Sequence, residues 1–77
     1  MRLDMKEKAL ESLQVLGNLF YEKCLGERSV STSTRQKLLS GMPEMDWEEK
    51  YKRSEALIEI LSTSKTEQEV LDRAAQL

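Results

Sequence analysis

The sequence predicts an all-α fold: a small helical bundle of three to four helices, with a long first helix packed antiparallel on the third. Three observations predict it. The 77 residues include one Pro and three Gly, and Leu, Glu, Lys and Gln, all good helix formers, are abundant. Apolar side chains recur at three- and four-residue steps along two long stretches, the spacing that stacks them on one side of a helix. Between those stretches lie hydroxyl-rich and glycine-containing segments that punctuate helices.

Composition sets the bounds. A chain of this length supports one domain, 1–77, with one core. At 39% hydrophobic and 34% charged it is too apolar for wholesale disorder. The net charge of −2 creates no global field that would recruit nucleic acid or an anionic membrane. The charge is uneven, however. Residues 1–41 carry seven Lys/Arg against five Asp/Glu, and residues 42–77 carry five against nine. The single cysteine, Cys24, excludes an internal disulfide framework and fits a reducing compartment. The opening MRLDMKEK has no continuous apolar run, and no stretch approaches the ~20 apolar residues of a membrane span. A cytoplasmic location is therefore expected.

The first helix is placed at 3–25. Its stripe is Leu3, Leu10, Leu13, Leu16, Phe20 and Cys24, widened by Val15 and Leu19, and Gly26 is placed to close it in the left-handed conformation. Fully helical, it spans roughly 34 Å at ~1.5 Å per residue. Burying about eight such side chains is worth on the order of 12 to 24 kcal/mol, against roughly 1 to 2 kcal/mol per residue for ordering the backbone. The helix must dock on the rest of the chain, on a second copy or on another protein.

A loop follows at 26–33, where Ser29, Ser31, Thr32 and Ser33 compete with the backbone for hydrogen bonds. Ser33 or Thr34 then caps a short helix at 34–40, with Leu38 and Leu39 as its apolar contacts and Gly41 as its stop. The third helix is placed at 44–62. Pro43 suits its entry, and Asp46 with Glu49 resembles a capping box. Trp47, Tyr51, Ser54, Leu57, Ile58 and Leu61 form its inward face, while Ile60 widens that face toward a second neighbour. Glu48–Lys52 and Glu49–Arg53 are four-residue pairs in the favourable orientation. The last helix, at 66–76, has two overlapping capping readings, Ser64 with Glu67 and Thr66 with Glu69. It offers Val70, Leu71, Ala74, Ala75 and Leu77 for packing.

Little in this inventory carries chemistry. Histidine is absent, so the commonest general base and zinc ligand is missing. The carboxylates fall on faces that periodicity assigns to solvent, and Gly17, Gly26 and Gly41 are too isolated to make a phosphate loop. The expectation is a protein that is not an enzyme, with no cofactor and no metal. Gly17, on the first helix, reads as a point of close helix–helix contact.

Two functional readings follow. Met42, Met45, Trp47 and Tyr51 cluster at the start of the third helix, and Met and aromatic residues are enriched at interfaces. They point to a protein-interaction module, a regulator, adaptor or chaperone-like protein, whose partner is another protein or a second copy in a homodimer. The alternative is a nucleic-acid-binding regulator using Arg28, Arg35 and Lys37 around the hydroxyl-rich loop. Against it, the next helix opens with Glu44, Asp46, Glu48 and Glu49, which would repel a phosphate backbone.

Overall fold

A computed structural model of the chain describes residues 3–22, 24–25, 28–29 and 31–77, with side chains described for 4–21 and 31–77. The fold is an all-α bundle. Helix α1 (Leu3–Glu22) leads into a two-residue antiparallel ladder, β1 (Cys24–Leu25) with β2 (Arg28–Ser29). Then come α2 (Thr32–Leu38), a 3-10 turn (Met42–Glu44), α3 (Trp47–Thr63) and α4 (Glu67–Ala74).

Local chemistry explains most boundaries. Asp46 Oδ1 accepts the Glu49 N–H at 2.8 Å and starts α3 three residues later than periodicity places it. The intervening Met42–Glu44 winds into the tighter turn, with Pro43 near its entry. Thr66 Oγ1 accepts the Glu69 N–H at 3.1 Å and caps α4. Gly41 is left-handed, at φ 81°, and ends the turn that follows α2. Two expected boundaries are corrected. Helix α2 is capped by Ser31, whose Oγ accepts the Thr34 N–H at 3.2 Å, so the expected loop at 26–33 gives way to β2 and the first turn of α2. Helix α1 ends at Glu22, and Cys24 lies in β1, off the helical stripe. The expected closure at Gly26 lies outside the described residues.

The core holds Leu16 and Phe20 from α1, Leu38 from α2, Met42 from the 3-10 turn, Leu57, Ile60 and Leu61 from α3, and Val70 from α4. Fully burying each such side chain is worth about 1.5–3 kcal/mol. The stripe of α1 is turned from its expected position, because its buried positions include Ala9 and Ser12 as well as Leu16 and Phe20. These small residues lie on the side of α1 that packs on α3, where Ser12 meets Glu55, and they let the two backbones approach. Leu10 and Val15, expected inside, are 48% and 46% exposed, because they sit on opposite flanks of a face that one neighbour cannot cover on both sides.

Helices α1 and α3 pack along their length and run in the same direction, which corrects the antiparallel expectation. Lys6 Nζ lies 5.5 Å from the centre of the Trp47 ring, and roughly two turns further along both helices Ser12 Oγ donates to Glu55 Oε2 at 2.5 Å. An antiparallel pair would separate one of these contacts when it made the other. The reason lies in the connection. Helix α2 descends beside α1, with Arg35 level with Phe20 and Tyr21 and Leu39 level with Leu13, so the chain enters α3 at the end where α1 began. Helix α4 then descends in turn, starting beside Ser31 and bringing Leu77 near Met45 and Arg53.

Candidate functional site: an apolar groove between α1 and α2

The rotation of α1 leaves one of its edges uncovered. Leu10, Gln14, Gly17 and Tyr21 follow one another at three- and four-residue steps, and Tyr21 is 76% exposed. Where α2 descends alongside, this edge becomes one wall of a groove lined by Leu13, Leu16, Gly17, Phe20 and Leu39, with a volume of about 140 Å³. Gly17 lies in its wall. A Cβ built there meets nothing within 4 Å, so the close helix contact expected at Gly17 is not made among the described residues.

Arg35 stands at the rim. Its guanidinium carbon lies 5.3 Å from the centre of the Phe20 ring and 5.4 Å from that of Tyr21, a stacking that holds the planar cation in one orientation. Its Nε is buried with no hydrogen-bond acceptor. Among the described residues no carboxylate lies within ion-pair distance of Arg35.

The residues singled out at the start of α3 do not form one patch. Met42 is buried in the core, because the 3-10 turn points it inward. Met45 packs against the core and shares a shallow groove with Glu49, Arg53 and Leu77. Trp47 is half-buried, with Lys50 Nζ at 4.2 Å and Lys6 Nζ at 5.5 Å from its ring centre, and Tyr51 is half-buried one turn on. Nor do the basic residues converge. Arg35 stacks toward α1, Lys37 projects to solvent from another side of α2, and the Arg28 side chain lies outside the described residues.

Other polar groups serve the fold. Arg53 Nη2 donates to the Leu38 carbonyl at 3.2 Å, closing the C-terminal end of α2, so the expected Glu49–Arg53 pair is replaced. Glu48 and Lys52 do pair, at 3.4 Å, but both are exposed. Arg73 Nη1 donates to Thr63 Oγ1 at 2.6 Å and Ser64 Oγ at 3.1 Å, bracing the corner between α3 and α4. The Thr34 hydroxyl and the Ser31 N–H donate to the Glu67 carboxylate and hold its pKa below the ordinary carboxylate value. Among the described residues no group of His, Cys, Asp and Glu is placed to hold a metal, and no helix is long and apolar enough to cross a membrane.

Compared with protein-family models, curated proteins and solved structures, the chain matches none.

The groove itself escaped the sequence reading. Tyr21 and Arg35 are separated by the hairpin, and only the descent of α2 brings them together. The one signal available was Gly17, a glycine inside an otherwise strong helical stretch.

Proposed function

We propose that this chain is a small non-enzymatic protein-interaction module, a cytoplasmic regulator, adaptor or chaperone-like protein that works through an apolar helix face. One observation carries the reading: the edge of α1 stays uncovered, with Leu10 and Tyr21 exposed on either side of an open Gly17, next to an apolar groove. Exposed apolar surface beside a formed groove is characteristic of interaction sites. The half-buried Trp47, framed by two lysines, offers a smaller secondary contact. The partner is another protein or a second copy of the chain.

The test is retention of host proteins on the immobilised chain, set against a Leu10→Ser/Tyr21→Ser variant. The variant removes the apolar edge together with the ring that Arg35 stacks on, and a thermal melt establishes that it is folded. Specific proteins retained by the parent and lost by the variant support the reading. Identical retention by both, together with a monomeric parent in light scattering, overturns it.

A further inference from the structure

We infer that the groove between α1 and α2 docks a polypeptide segment presenting a large apolar side chain beside a carboxylate, the apolar group entering over Gly17 and the carboxylate meeting Arg35. The inference rests on the interaction-module reading above and names the chemistry of its partner.

Size comes first. At about 140 Å³ the groove is close to the ~150 Å³ apolar cavity that accepts a benzene molecule, so it seats one ring or one branched aliphatic side chain. The walls supplied by Leu13, Leu16, Phe20 and Leu39 offer such a group dispersion contacts and removal from water.

Gly17 is the second observation. Glycine inside a helix lowers stability relative to alanine, and nothing among the described residues requires it. It is not at positive φ, and no neighbour crowds the place its Cβ would occupy. The missing side chain does one thing here, which is to keep the groove open to an incoming group.

Charge selects among partners. Arg35 is an oriented guanidinium with a buried Nε that no acceptor reaches, and among the described residues it has no carboxylate partner. The Nε is enclosed, as is that of Arg53, so a ligand meets the guanidinium through its terminal amines. A carboxylate is the natural complement to the planar fork, and charge-assisted pairs at a partly desolvated rim are among the stronger hydrogen bonds. A basic segment would be repelled. A second copy is a poor occupant, since a two-fold contact sets the same patch against itself, and here that opposes groove to groove and Arg35 to Arg35.

The experiment is selection from a displayed library of random peptides against the full chain, with Arg35→Gln, Arg35→Lys and Gly17→Phe variants in parallel. Thermal melts establish that each variant is folded. Position 17 opens onto free space, so the phenylalanine enters the groove and not the core. Clones enriched by the parent should carry Leu, Ile, Met or Phe with Asp or Glu within one helical turn. Synthesised, they should bind Arg35→Gln roughly tenfold to a hundredfold more weakly, with partial recovery in Arg35→Lys, and should not bind Gly17→Phe. Enriched clones that lack the carboxylate, or that bind Arg35→Gln as well as the parent, overturn the inference. Clones that bind Gly17→Phe equally well also overturn it, while leaving an interaction module that uses another face. No enrichment by any form removes the inference and counts against the wider reading as well.

Discussion

The Glu67 carboxylate accepts the Ser31 N–H at 2.9 Å, joining the first turn of α4 to the residue that caps α2 across 36 positions of sequence. By spacing alone Ser64 with Glu67 is one of two overlapping capping pairs, the other being Thr66 with Glu69, which does cap α4. In the folded chain Glu67 instead supplies negative charge to the N-terminal end of another helix, where unpaired N–H groups favour it. The Thr34 hydroxyl adds a second donor, and together they lower the pKa of Glu67 from its ordinary value of 4.5.

That lowering fixes the sign of a pH effect. The folded state binds the Glu67 proton less readily than the unfolded state does, so the carboxylate's contribution is complete above about pH 4.5 and disappears as pH falls through the lower, folded-state pKa. Glu67→Gln should therefore lower the melting temperature at neutral pH by an amount equivalent to about 0.5–1 kcal/mol, the group being close to solvent. The difference from the parent should vanish in acid. Melting curves from pH 7 down to pH 3 check this, and a difference that grows on acidification would contradict it.

Gly17→Ala should stabilise the fold. The added methyl meets nothing within 4 Å and the backbone is not in a glycine-only region, so the gain is the usual helix preference of alanine over glycine, about 0.5–1 kcal/mol. Urea denaturation with an unchanged m value is the measurement. Destabilisation would mean that another group already occupies the space beside position 17.

Leucines that look equivalent by periodicity should separate by burial. Leu57→Ala and Leu61→Ala, both at fully buried positions, should each cost about 2–5 kcal/mol. Leu10→Ala should stay within about 0.5 kcal/mol of the parent. Equal losses at positions 10 and 57 would show that the edge of α1 is covered in solution.

Close approach of α1 to α3 makes the small residues of α1 intolerant of enlargement. Ala9→Leu should overpack the interface and cost about 1–3 kcal/mol, even though it adds apolar surface and keeps helix propensity. Calorimetry of the variant decides, and a neutral or stabilising effect would contradict the close packing described.

Asp46→Ala should lose about 1 kcal/mol by leaving the Glu49 N–H without its cap, whereas Asp46→Asn should retain most of it. Comparing the two by denaturant titration separates capping from charge at the start of α3.

Helical class, the pairing of α1 with α3, the inward Leu57 and Leu61, and the second face at Ile60 were all legible in the sequence, because each depends on local periodicity. The rotation of α1 was not. Counting large apolar side chains overlooks Ala9 and Ser12, whose value lies in letting another backbone come near. Helix direction was lost for a related reason: a segment rich in Ser and Thr reads as a loose link, yet Ser31 starts a helix there that carries the chain back down the bundle. The groove joins Gly17 to Arg35 through that same descent, so no window of sequence contains it.

Because α1 and α3 lie side by side in the same direction, the partners of Lys6 and Ser12 arrive more than forty residues later, at Trp47 and Glu55. During synthesis α2 can reach Leu16 and Phe20 first, but the side of α1 with Ala9 and Ser12 stays uncovered until α3 has been made. Assembly there waits on closure of a long loop, which slows folding in comparison with a bundle of adjacent hairpins. That side of α1 is thus most open to aggregation, and most dependent on whatever shields it, in the interval between the making of α1 and of α3.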